Sequence, residues 1–199
     1  MIQKLSEKIV DPLMHLAGTE DDRDIYLYGV ECFISEVIGD ITLFLIALFL
    51  GQFGEMLLWI ISFLAIRTHL GGYHCESHFR CYIASTLLGV ASLPLNRLLL
   101  HYPYVTVILM LLCLLFILQY APIVHKNNPR SNDQIRISKK LTRINFSILS
   151  FLAILLACLR NPFYAPLCSG VILATLLGWI QIIKNGFLKK GKPPEQSHS

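Results

Sequence analysis

The sequence predicts an all-α membrane protein, with six transmembrane helices behind an N-terminal amphipathic helix. Three observations lead there. Hydrophobic residues make up 54% of the 199, charged residues only 15%, and the mean hydropathy is +0.57; a soluble domain carries about 25% charged residues. The apolar residues arrive in long runs, and about 20 in a row suffice to cross a hydrocarbon layer about 30 Å thick. Lys and Arg are also divided very unevenly among the connections between those runs.

Residues 1–18 mix Lys4, Glu7, Lys8 and Asp11 with Leu5, Ile9, Leu13 and Leu16. That spacing suits a helix lying on the membrane surface, and equally an ordinary polar leader helix. No continuous apolar stretch precedes a small-residue cleavage site, so a removable signal peptide is not expected. Six apolar segments follow, at about 25–50, 54–66, 81–100, 104–121, 144–160 and 163–183. The second is short for a span, so it either tilts or continues into the polar residues after it. Pro103, Pro122 and Pro162 mark helix ends. Residues 189–199 read as a disordered tail, leaving 1–188 as one transmembrane domain.

With six spans, one side holds both termini, the 67–80 connection and the 122–143 loop. These carry fifteen of the seventeen Lys and Arg residues, and the other side has only Arg97 and Arg160. Basic connections stay preferentially in the cytoplasm, so both termini are expected there. The positive charge is therefore a topological signal. No basic soluble module exists to bind nucleic acid.

Of the six cysteines, Cys32, Cys113, Cys158 and Cys168 lie in apolar surroundings, and none of the six forms a CxxC pair. A lone membrane cysteine behaves as a small apolar residue. The other two, Cys75 and Cys81, fall in the polar stretch richest in nucleophiles and bases, Arg-Thr-His-Leu-Gly-Gly-Tyr-His-Cys-Glu-Ser-His-Phe-Arg-Cys over 67–81.

His74 and Cys81 are the candidate catalytic pair there. A thiolate is the reactive form of cysteine, and a neighbouring imidazole makes it available near neutral pH. Seven residues of unbroken helix would hold the two about 10 Å apart, too far for a hydrogen bond. The chain must therefore turn between them, and Gly71-Gly72 supplies the backbone freedom to enter such a turn. Cys81 is expected in the first turn of the third span, where the helix dipole lowers a thiol pKa, with Arg80 adding positive potential. Cys75 is a weaker rival, because adjacent side chains diverge. His69, His74, Cys75, His78 and Cys81 also include metal-ligand types, but fit no usual zinc spacing. Neither a metal nor a cofactor is expected.

At these residues the sequence resembles the accessory gene regulator B family of Gram-positive bacteria. The match is Arg67-x-x-x-Gly71-Gly72-x-His74-x6-Cys81, with Tyr28-Gly29-x-Glu31 near the start of the first span and Pro122-x6-Pro129 in a basic loop after the fourth. The resemblance implies a bacterial cell-membrane cysteine endopeptidase of quorum sensing. Such enzymes cleave the acidic C-terminal part from a short amphipathic propeptide lying on the membrane. The residue matching Cys81 forms an acyl-enzyme thioester, and an internal Cys or Ser of the propeptide displaces it, closing a thiolactone or lactone ring. The residue matching His74 is its partner, and Arg67, Gly71, Gly72 and Arg80 become candidate substrate-binding residues. Membrane lipid and a second copy in a homodimer are the other expected partners. The loop cations from Lys126 to Arg143 would attract an acidic peptide tail, or simply set topology and touch anionic lipid.

Glu31, Glu36 and Asp40 lie inside the first apolar segment, where ionisable groups are costly and commonly functional. Counting from the start of that segment sets Glu31 about 10 Å deep, near the depth expected for Cys81. Glu31 is thus a candidate group to orient His74, as a third residue does in catalytic triads; a structural hydrogen bond is the plainer reading. The alternative function is a small ion transporter or channel using these three acids.

Overall fold

The structure, a computed structural model, describes residues 6–12, 23–71, 78–123 and 131–190. Among these there is no strand. A short helix, α1 (residues 6–12), precedes α2 (Arg23–Phe49), α3 (Phe53–Leu70), α4 (His78–His101), α5 (Pro103–Tyr120), α6 (Asn132–Cys158) and α7 (Tyr164–Lys190). Helices α2 to α7 are each long and apolar enough to span a membrane, so the chain is a multi-pass membrane protein.

The helix ends follow from local chemistry. After α2, Gly51 adopts φ +66°. Its N–H bonds the Leu48 carbonyl and that of Gln52 bonds the Ala47 carbonyl, the paired bonds of a Schellman cap. Pro103 stands at the start of α5, where its missing N–H is no loss. Ser131 caps α6 reciprocally with Gln134.

The far end of α6 repeats the Schellman pattern without glycine. Arg160 takes φ +55°, with Arg160 N–H on the Ala157 carbonyl and Asn161 N–H on that of Leu156. A side chain is strained in this left-handed region. Arg160→Gly is therefore expected to stabilise the protein by about 1 kcal/mol, read as a higher melting temperature in detergent. A lower one would show that the guanidinium contributes more than the strain removes.

Two spans depart from the apolar counts. Helix α3 continues past residue 66 through Arg67, Thr68 and His69 to Leu70, which gives the short second span its length. Helix α6 begins at Asn132 rather than near 144. Its first three turns are polar, and the basic loop is largely helix. The polar tail expected from 189 loses its first two residues to α7, and residues 191–199 lie outside the described ones.

The chain divides into two compact units. The first contains α1, α2, the start of α3 and α4 as far as Ala91. Arg23 ties α2 to α1 by a 2.8 Å ion pair with Asp11, and Val10 is fully buried. Helices α2 and α4 run in the same direction. Gly39 faces Tyr82 and Leu43 faces Gly89, where an added Cβ would collide with the leucine.

The second unit holds the rest of α3 and α4 with α5, α6 and α7. Helix α7 is its axis, 67% of its span being buried against 22% for α5 and α6. Gly170 lets α7 press onto α3 at Trp59, Ser62 and Phe63. Leu99, Ala153, Ala165 and Cys168 join α4, α6 and α7 in one apolar cluster. Buried polar groups satisfy each other across helices, as hydroxyls and amides in lipid must: Ser169 donates to Asn96 Oδ1 and Asn145 to the Ala65 carbonyl at 2.7 Å. Aromatic residues gather at both ends of α5, with Tyr102 and Tyr104 at one and Tyr120 beside Trp179 at the other. They match the belts that mark membrane–water boundaries, about 27 Å apart along 18 residues.

Candidate functional site

The polar stretch over 67–81 begins on a helix and returns to one. Arg67 lies in the last turn of α3, buried at 8% exposure, with its guanidinium 5.5 Å from the centre of the Phe63 ring. The next residue, Thr68, donates to the Leu64 carbonyl at 2.9 Å and also meets His69 Nδ1 at 2.9 Å. Since the only hydroxyl proton is committed to Leu64, His69 Nδ1 carries the hydrogen in the second contact.

Gly71 ends α3. Its φ of +78° lies in the left-handed region, which stops the helix and sends the chain off its axis. The turn is held by residues 121–123: Ile123 N–H donates to the Leu70 carbonyl at 2.8 Å. A Cβ on Gly71 would stand only 2.5 Å from the Ile123 carbonyl oxygen. Glycine is thus required here both for backbone conformation and for room.

Gly72 and His74 lie outside the described residues, as does Cys75. The chain resumes at His78, so Arg80 and Cys81 are the third and fourth residues of α4, though their side chains are outside what the structure describes. A backbone at this position feels the positive end of the α4 dipole.

Tyr82, the next residue, meets α2. Its hydroxyl is 3.2 Å from Thr42 Oγ1, and its ring faces Gly39 across a gap that a Cβ would fill. This register corrects the depth expected of Glu31. Gly39 is eight residues beyond Glu31, about 12 Å of helix rise, so Glu31 sits towards the Arg23 end and not level with the start of α4. Counting residues from an apolar boundary treats all helices as starting at one height, and these do not. Glu31, Ser35 and Thr42 share one stripe of α2, at i, i+4 and i+11. Glu36 is about 140° round from Glu31, so the three acids do not line one path. That spread disfavours the ion-transport alternative.

Among the described residues, no group of His, Cys, Asp and Glu comes together to hold a metal. Cys113 and Cys168 are buried free thiols in apolar packing, and Cys158 is free and exposed at the end of α6. The tight approaches at Gly89 and Gly170 were not anticipated; small residues in membrane helices were the available signal.

Known proteins bear on these residues. The accessory gene regulator B family profile matches residues 2–183. An accessory gene regulator protein B of Staphylococcus carnosus (strain TM300) is 27% identical over 178 residues, covering 86% of this chain and 91% of its own. A putative AgrB-like protein 1 of Clostridium perfringens (strain 13 / Type A) is 31% identical over 132 residues, 65% and 69% of the two chains. The accessory gene regulator protein B of Staphylococcus aureus (strain Newman) is 31% identical over 149 residues, 74% and 77%. No solved structure matches significantly. A profile match across nearly all of a six-span bundle leaves one conclusion: the chain belongs to the accessory gene regulator B family and has that family's role in quorum-sensing peptide processing.

Proposed function

We propose that this chain is a membrane cysteine endopeptidase that releases the C-terminal part of a short amphipathic propeptide and prepares the remainder for ring closure. The observation that carries this reading is the placement of Cys81 on the first turn of a membrane helix, in the chain that follows the end of α3 at Gly71. A thiol there gains from the helix dipole, and the reading takes the imidazole of His74 as its partner.

The chemistry then balances in two transfers. His74 takes the Cys81 proton, and the sulfur attacks the scissile carbonyl carbon. The tetrahedral oxyanion collapses, the C–N bond breaks, and the leaving amine takes the proton from the imidazolium. The thioester so formed is attacked by the propeptide's internal thiol or hydroxyl, whose proton His74 takes; the ring closes, the bond to the Cys81 sulfur breaks, and Cys81 leaves as thiolate beside the imidazolium. Exchange of one thioester for another is nearly neutral in free energy. Loss of the intermediate to water is the hazard, so the site must be dry. Buried Arg67 is suited to hold a carbonyl or carboxylate oxygen of the peptide through charge-assisted hydrogen bonds. The cytoplasmic placement of the site and both termini follows from the distribution of Lys and Arg.

The test is cleavage, followed by gel, of a synthetic propeptide with an amphipathic first half, an internal cysteine and an acidic second half. Cys75→Ala should cleave normally and Cys81→Ala should not; the reverse pattern assigns the nucleophile to Cys75 and ends the proposal as written. Glu31, on the same stripe of α2 as Thr42, is the proposed orienting group for His74. Glu31→Gln is expected to lower kcat on the order of tenfold or more. Full cleavage at a normal membrane level would leave Glu31 a structural residue.

A further inference from the structure

We propose that Tyr82 is the positioning residue for Cys81, clasping α2 at Gly39 and Thr42 and thereby fixing the turn of α4 that carries the nucleophile. The inference rests on the peptidase reading above and names a part of the same site that the chemistry has not yet used.

The direction of the hydrogen bond can be deduced. Thr42 Oγ1 donates its single proton to the Ile38 carbonyl at 2.9 Å. The 3.2 Å contact with Tyr82 must then be donated by the phenol and accepted by the threonine. This is a part-buried bond between two candidate membrane spans, so breaking it takes from the phenol the acceptor that α2 supplies. The ring below it faces Gly39, where a built Cβ would meet Tyr82 Cδ2 at an ordinary 3.8 Å. From the other side, Thr86 Oγ1 donates to the Tyr82 carbonyl at 2.9 Å. Ring, hydroxyl and backbone carbonyl of one residue are therefore all engaged.

A second contact makes the clasp two-pointed. Leu43 fills the space above Gly89, two turns further along α4, closely enough that an added Cβ there would overlap its methyl groups. Two contacts along parallel helices fix both the rotation of α4 and its axial height. Cys81 precedes Tyr82 directly, about 1.5 Å along the axis and 100° around it. A slip of the clasp therefore moves the nucleophile by nearly the same amount, and a displacement of about 1 Å at a reacting atom can lower a rate on the order of 100-fold.

The experiment uses the full chain in membranes, with the synthetic propeptide as probe and rates normalised to folded protein by size exclusion. Tyr82→Phe removes only the donor and Thr42→Val only the acceptor. Each is expected to lower kcat roughly three- to tenfold with KM unchanged. The double variant should be no worse than either single one, and Thr42→Ser, which keeps the acceptor, should restore the wild-type rate. If Tyr82→Phe does not accumulate, the Thr42→Val and Thr42→Ser comparison decides alone. Wild-type kinetics in Tyr82→Phe, or losses that simply multiply in the double variant, overturn the inference while Cys81→Ala remains inactive. Cleavage by Cys81→Ala would instead bring down the peptidase reading itself, and the positioning role with it.

Discussion

Cys81→Ala and His74→Ala are each expected to abolish propeptide cleavage, at membrane levels equal to wild type. The expected loss is large because the two residues act as one unit. Without the sulfur no acyl intermediate exists. Without the imidazole the thiol is mostly protonated at neutral pH and the leaving amine has no proton source, and general acid–base assistance alone is worth about 100- to 10,000-fold. The double variant should therefore be no slower than either single variant, since units of this kind are grossly non-additive. Mass spectrometry of the stalled reaction supplies the decisive measurement. A propeptide whose internal cysteine is replaced by alanine should accumulate as an adduct on Cys81, because its ring-closing nucleophile is missing. An adduct on another residue, or residual turnover in Cys81→Ala, would contradict the mechanism. Cys113 and Cys168 are poor competitors because they are packed at 6% and 3% exposure.

The largest effect on stability is expected at Gly170. An added Cβ would overlap Ser62 Oγ and stand 2.8 Å from the Trp59 carbonyl oxygen and 3.0 Å from Phe63 N. Ser62 can rotate only by giving up its bonds to Trp59 and Pro166. The backbone atoms cannot move without parting α3 from α7. Overpacking of this kind typically costs about 1–3 kcal/mol. Gly170→Ala should therefore melt well below wild type in a detergent thermal-shift series, and Gly170→Leu should not accumulate in membranes. Gly29 is the internal control, because nothing lies within 4 Å of a Cβ built there. Gly29→Ala should match or exceed wild type, alanine being the better helix former by about 1 kcal/mol. Equal melting of both variants would show that the α3–α7 approach yields freely.

The spans were legible because hydrocarbon imposes length and polarity together, and a run such as 104–121 has few ways to satisfy its backbone other than as a helix. The polar ends were not legible for the same reason. No continuous apolar run marks the last turn of α3 or the first three of α6, although Ser131 and Gln134 had the spacing of a capping box. The proposed catalytic pair could be named from residue types and a resemblance. The partners of Tyr82 could not, because the contact joins residues 40 positions apart, and no periodicity within one helix specifies which turn of another it meets. Glu31 shows the cost of ignoring that register.

Because α6 is one uninterrupted rod from its cap at Ser131 to Cys158, its cations are not borne on a tether. Arg136, Lys139, Lys140 and Arg143 recur at i, i+3, i+4 and i+7, all exposed, and so form a rail of fixed pitch anchored in the bundle by Phe146, Leu149 and Ala153. Whatever anion approaches this rail, peptide or phospholipid, meets it at a set bearing. One residue inserted between Arg143 and Phe146 would swing all four charges by about 100° without altering their number. Bearing and charge, usually inseparable in a flexible loop, can here be varied one at a time.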